Sequence, residues 1–271
     1  MTDTQISNER QLHYEEVTPK HANGMLMLIL NILLMLASAA GGIWGIINAN
    51  ILLIALCAIY FMIVGPILFA GLKILKPNEA LVLTLFGKYH GTLKGEGFFF
   101  VNPFVVAFHP AVEPSQPATA AVVEQAVATG KASAQTIKKT SKIISLKTMT
   151  LHNEKQKIND ELGNPIIIGI VVIWRVVNTA KAAFNVDNYT EYLSIQCDSA
   201  LRNIVRLYPY DSSNEDKEKS LRGSSQEVAD KLKVEIQKAV DIAGLEIIDA
   251  RITHLAYAPE IAAAMLQRQQ A

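Results

Sequence analysis

The sequence predicts an α+β body carried behind a two-helix membrane hairpin. Three features predict it. From residue 21 to residue 72 there is not one Asp, Glu, Lys or Arg. After that stretch come short β-branched and aromatic runs bounded by Gly, Pro and Asn, the pattern of strands and turns. Beyond residue 179, apolar residues recur at helical spacing.

The charge-free stretch divides at Asn48-Ala-Asn50. That leaves Met25–Ile47 and Ile51–Leu72, each about the 20 residues a helix needs to cross roughly 30 Å of hydrocarbon. Backbone groups in lipid must be satisfied internally, so both segments are expected to be helical. The layout is too long for a cleaved signal peptide. Ala37, Gly41 and Gly45 recur every four residues and permit close helix approach. They pack either against the second helix of the same hairpin or against a helix of another molecule. Asn31 is expected to bond a neighbouring helix rather than an ion. Pro66 is expected to bend the second helix, which would turn a full crossing into a wedge that dips and returns.

Residues 1–24 read as a polar, mobile tail. Arg10 and Lys20 lie before the hairpin and Lys73, Lys76, Lys88 and Lys94 after it, while the inter-helix turn has no basic residue. By the positive-inside rule the tail and the body share the cytoplasmic side of a cell membrane. Asp3, Glu9, Glu15 and Glu16 dilute that signal in the tail.

The 271 residues carry 25 basic and 25 acidic side chains. This balance lacks the basic footprint of a nucleic-acid binder. Cys57 lies in the second span and Cys197 in the body, so no disulfide framework is expected.

Along the body, Ala80–Phe86 reads as a strand and Gly87–Gly97 as hairpin turns. Lys88 is followed by Tyr89, so this is no phosphate-binding loop. Phe98–Phe104 is an apolar patch divided between core and headgroup layer. Residues 111–142 form a loop rich in Ala, Ser, Thr, Gln and Pro, basic in its second half. Ile143–Leu151 and Lys155–Ile158 read as strands, Glu161–Pro165 as a turn, and Ile166–Val177 as a strand buried on both faces, with Trp174 and Arg175 marking its exit. Helices are expected over Thr179–Phe184 and Tyr189–Leu207. In the second, Asp198 and Arg202 stand four apart, as an ion pair would. Ser224 and Glu227 match a capping box, with a helix to Gly244 as terminator. In Leu245–Leu255, Ile248, Ala250 and Ile252 alternate with Asp249, Arg251 and Thr253. Pro259 opens a last helix.

Several of these residues carry a resemblance. Lys76-Pro77-Asn78-Glu79, Phe86-Gly87-Lys88-Tyr89-x-Gly91-Thr92 and Gly97-Phe98-x-x-Val101-Asn102-Pro103-Phe104 resemble the opening of bacterial SPFH (band 7) proteins. That superfamily includes stomatins, prohibitins and flotillins, and the likeness is to a bacterial stomatin-like member. It resumes at Thr148 and includes Asp198-Ser-Ala-Leu-Arg202. The resemblance implies an SPFH domain over residues 73–257, with residues 258–271 starting a long assembly helix. It also implies a membrane scaffold that forms large homo-oligomeric rings or cages in the lipid bilayer and organises microdomains. Client membrane proteins, among them a membrane protease, are the implied partners.

No chemistry stands out. His13, His21, His90, His109, His152 and His254 show no metal-ligand spacing, and there is no nucleophile elbow. No catalytic residue, cofactor or metal is expected. Two rival readings are an anchored modulator of a channel or protease without large assembly, and a membrane hydrolase assembled from Asp198, His152 or His254. A conduction path is disfavoured, because the spans carry no ionisable charge.

Overall fold

The computed structural model describes residues 15–108, 142–211, 220–262 and 265. They form two compact units, one of residues 15–108 and 142–146, the other from residue 147 onward. Both are antiparallel sheets combined with helices, the α+β class expected.

The first unit begins with a correction. Residues 15–23 are not a loose tail. Lys94 pairs with Glu16, and Thr92 N donates to Val17 O at 2.8 Å. Gly91 permits this approach: it sits at φ 147°, and a Cβ there would lie 2.7 Å from Val17 O. Residues 1–14 lie outside the described residues.

Strand β1 (Ala22–Asn23) leads into helix α1 (Gly24–Ile47), where Asn23 caps Met25 N at 3.0 Å. The reversal at residues 48–50 places Ala49 at φ 53°, and the Asn50 side chain caps Leu53 N at 3.3 Å. Helix α2 follows as Ile51–Ala70. Proline lacks an N–H and crowds the preceding turn. The helix absorbs Pro66 with a wider π turn at Tyr60–Val64, in which Gly65 N donates to Tyr60 O. The helix continues to Ala70 without reversing. Leu72, expected in the span, instead opens strand β2 (Leu72–Leu75).

Strands β3 (Glu79–Leu85), β4 (Lys88–Lys94), β5 (Gly97–Phe100), β6 (Val106–Ala107) and β7 (Ile144–Ser145) complete this unit. They form two sheets, ordered β1-β5-β2 and β4-β3-β6, with β7 also on β3. Leu75, Leu81, Leu83, Leu93, Val101 and Val105 are its buried core.

The second unit is built on strand β10 (Pro165–Val176). It pairs on one side with β8 (Met149–His152) and β9 (Gln156–Asn159), and on the other with β11 (Leu245–Tyr257). The single strand expected over Ile143–Leu151 is therefore two, β7 and β8, in separate sheets. Helices α3 (Thr179–Phe184), α4 (Tyr189–Val205) and α5 (Ser225–Val240) belong to this unit. Asn178 and Asn188 cap the first two, accepting from Lys181 N and from Thr190 N and Glu191 N.

Four expectations are corrected here. Strand β10 is buried on one face only: Ile166, Ile168, Ile170, Val172, Trp174 and Val176 are buried, while Ile167, Val171 and Ile173 are half-covered. Among the described residues, the helices of this unit lie on one side of this sheet. Trp174 does not mark an exit; it is buried against Tyr189, ring centroids 6.0 Å apart. The capping box is not formed. Ser224 has φ −113° and ψ 33°, away from the extended conformation a side-chain cap needs, and its hydroxyl makes no capping bond. The phase of β11 breaks at Ile248, because Ile247 stands opposite Trp174 and Asp249 opposite Ile173. The bulge turns Ile248 outward and Ile247 inward. Gly244 ends the α5 region as expected, at φ 66°.

Candidate membrane interface

The sequence places Ala22 and Asn23 before one apolar helix and Leu72 and Lys73 after the other. The fold brings all four onto one strand. Ala22 and Leu72 both stand opposite Phe100, and Asn23 and Lys73 both stand opposite Phe99. Strand β5 thus clasps the two feet of the hairpin from between them. The clasp is tight because glycine sits at both feet. A Cβ on Gly24 would lie 2.8 Å from Phe98 backbone, and one on Gly71 would strike Val101 O and lie 2.9 Å from the Phe100 ring. His21 adds an edge-on contact to Phe99 at 5.1 Å.

Gly71→Val is expected to separate the second foot from β5. Forcing a side chain into such a contact costs about 1–3 kcal/mol. Limited proteolysis near residue 101 would register the opened junction; an unchanged cleavage pattern would show that the contact is dispensable.

Within the hairpin, Asn31 is buried and donates to Gly65 O at 3.1 Å, while Tyr60 OH donates to Asn31 Oδ1 at 3.0 Å. This is the inter-helix bond expected of a lone amide in lipid. Gly41 and Gly45 face the second helix of the same chain: added Cβ atoms would lie 3.1 Å from Cys57 Sγ and 2.9 Å from Ile54 Cγ1. Ala37 instead lines an apolar groove of about 390 Å³ with Ser38, Cys57 and Tyr60.

Beside the foot of α2, strand β5 runs on into Val101, whose N donates to Gly71 O at 2.9 Å. Asn102 and Pro103 form a turn in which Asn102 Oδ1 accepts from Phe104 N at 3.0 Å. Phe104 is 60% exposed. Val106 then pairs with Thr84, two residues before Phe86 at the β3–β4 reversal. Phe86 is 87% exposed and has φ 50°, followed by Gly87 at φ 80°. A large apolar side chain in that backbone region is uncommon. It holds an exposed aromatic ring at the β3–β4 reversal.

The other motif residues are turn-makers. Asn78 takes φ 59° after Pro77, and its O accepts from Leu146 N at 2.9 Å. Glu79 Oε2 accepts from Lys76 N at 3.1 Å. Gly97, at φ 150°, lies under the Phe99 ring, 3.1 Å from an added Cβ.

Asp198 and Arg202 do not pair with each other. Asp198 Oδ1 accepts from Asn153 at 2.5 Å, and Arg202 Nε donates to Gln156 at 3.3 Å. Asp198 thus reaches the β8–β9 link and Arg202 the first residue of β9. Arg202 also lines an open polar cleft of about 750 Å³ with Lys157, Glu161 and Arg206. Sequence reasoning missed Asp160 at the wall of this cleft. It is buried, and it accepts from Asn164 N at 2.7 Å, Asn164 Nδ2 at 3.1 Å and Tyr210 N at 3.1 Å. The Gly-Asn-Pro turn that follows was the signal for it.

The hydrolase constellation is not assembled. His152 stands opposite Val171 and His254 opposite Gly169, on the face of the sheet away from the helices. Asp198 belongs to a helix of the covered face, so the sheet itself separates it from both. Cys197 is buried, and burial followed by the charge of Asp198 pushes its thiol up to about 12. A thiol held there stays protonated and is a poor nucleophile. Among the described residues no group of three or more His, Cys, Asp or Glu could hold a metal ion.

Comparison with curated proteins gives no match. Comparison with protein families does. Over residues 73–271 the chain matches the family described as SPFH domain / Band 7 family, and it belongs to that family.

Proposed function

We propose that this chain is a membrane-anchored scaffold that self-assembles into rings or cages and gathers client membrane proteins, a membrane protease among them. The observation that carries the reading is the clasp: β5 ties both feet of the apolar hairpin to the body. An anchor built this way fixes the adjoining sheet at the bilayer instead of tethering it on a linker. Both feet share one sheet, so residues 15–23 and the strands of the first unit lie on one side of the membrane. The basic residues after the hairpin make that side the cytoplasm. Phe86 and Phe104 supply rings suited to the headgroup layer. Copies held in a plane need only weak lateral contacts, because confinement multiplies them through effective concentration. The mechanism is confinement, with no bond made or broken.

Electron microscopy of the full chain, extracted gently from its native membrane, tests this. Closed particles of many copies are expected. Monomers alone, in native membranes, would sink the reading. Small uniform oligomers would favour an anchored modulator of a channel or protease.

A further inference from the structure

A π turn takes up one residue more than an α turn, because its bond runs from i to i−5 instead of i−4. At Tyr60–Val64, helix α2 therefore stores one residue inside its length, with Gly65 N donating to Tyr60 O. Pro66 accounts for the break in the α ladder, since its ring crowds the carbonyl of Met62. It does not account for the form of the break. Helices in lipid also carry proline on a plain kink.

The choice is made by α1. Tyr60 OH donates to Asn31 Oδ1 at 3.0 Å, and Asn31 Nδ2 donates to Gly65 O at 3.1 Å. One buried amide thus holds both the residue that opens the π turn and the residue that closes it. Met35, one turn further along α1, presses on the same place: a Cβ on Gly65 would lie 3.0 Å from its Sδ. On the near side of the turn, α2 is pinned at its foot, where Gly71 O accepts from Val101 N.

On the far side, Gly41 meets Cys57 and Gly45 meets Ile54. Releasing the stored residue, with Gly65 held in place, advances every residue before the turn by one. Ala58 then takes the place of Cys57, and Ala55 that of Ile54. Both are small, so the glycine face of α1 accepts either register. Phe61 takes the place of Tyr60 and brings no hydroxyl to Asn31. The released register thus loses one polar bond and gains one residue of helix rise, about 1.5 Å. Helix α1 has 24 residues against 20 in α2, so it already covers the longer span. A hydrogen bond in lipid and a hydrophobic mismatch of that length are of similar worth.

We propose that the π turn is a one-residue length adjuster of the anchor. Asn31 locks it short, and a thicker bilayer releases it to the longer α register. The adjuster rests on the hairpin lying in a bilayer and is independent of assembly into rings or cages.

The test uses the full chain in phosphatidylcholine vesicles with short or long acyl chains. An added Cβ at residue 41 lies 3.1 Å from Cys57 Sγ, so Gly41→Cys puts a thiol within disulfide reach of the native one. Gly41→Cys with Cys57→Ala and Ala58→Cys reports the released register. Mild oxidation and peptide mass spectrometry read both links. The 41–57 link is expected to dominate in short-chain vesicles, with a several-fold shift toward 41–58 in long-chain ones. Asn31→Leu is expected to favour 41–58 in both. Tyr60→Phe removes one hydroxyl and shifts the links the same way, which keeps the test open if the Asn31 variant fails to insert. A 41–57 link that neither bilayer thickness nor these substitutions alter overturns the adjuster and leaves the anchor standing. A chain that alkaline carbonate strips from the vesicles overturns both.

Discussion

Trp174→Ala is expected to destabilise the second unit by about 3–5 kcal/mol, the usual range for deleting a buried Trp. Trp174 is 2% exposed and stands edge-on to Tyr189, the first residue of α4. It lies on the covered face of the central strand, between Val172 and Val176, which are also buried. No neighbour can collapse into so large a void without moving the helix from the sheet. The same burial raises the Tyr189 hydroxyl above its usual pKa by desolvation, so that group stays neutral and tolerates the apolar setting. Denaturant titration of the full chain in detergent, followed by far-ultraviolet circular dichroism, measures the change. A loss under about 1 kcal/mol would contradict the packing described, since full burial of such a side chain is worth more.

Asp160→Ala is expected to cost about 2–4 kcal/mol, because it leaves three N–H donors without their acceptor. The carboxylate joins the end of β9 to the turn at residues 161–164 and to Tyr210 beyond α4. Asp160→Asn keeps an acceptor on one side but sets an NH₂ group against N–H on the other, so about half the loss is expected, on the order of 1–2 kcal/mol. The midpoint of thermal unfolding is the readout. Equal stability of Ala and Asn variants would show that the donors find water instead. The effect should hardly vary with salt, since the partners are neutral amides and not exposed ions.

What the sequence revealed was local. The helix at Thr179–Phe184 is readable from its short Ala-rich run, and the asparagines before it and before Tyr189 cap as such residues do. The apolar hairpin declares itself by length and absence of charge. The candidate interface was half legible: the apolar Phe98–Phe104 run was visible, the clasp was not. Strand β1 is two residues of no pattern, and its partner Phe100 is distant in sequence. Pairing of that kind is decided by tertiary packing, which no local period records. Asp198 and Arg202 fail for a related reason. Their spacing fits an ion pair, but Asn153 and Gln156 offer each an amide partner to the side. The bulge at Ile248 defeats the alternation because one inserted residue moves everything after it to the other face.

The clasp also dictates an order of events. Ala22 and Asn23 are synthesised long before Phe99 and Phe100, which complete their pairing. The same strand must close on Leu72 and Lys73. Until residue 100 has left the ribosome, the two feet have nothing to hold them together. If the apolar pair is inserted as it is made, it enters with its ends apart and insertion precedes closure. Anything that delays β5 would then leave the two feet unjoined, with residues 22–23 and 72–75 lacking their strand partner.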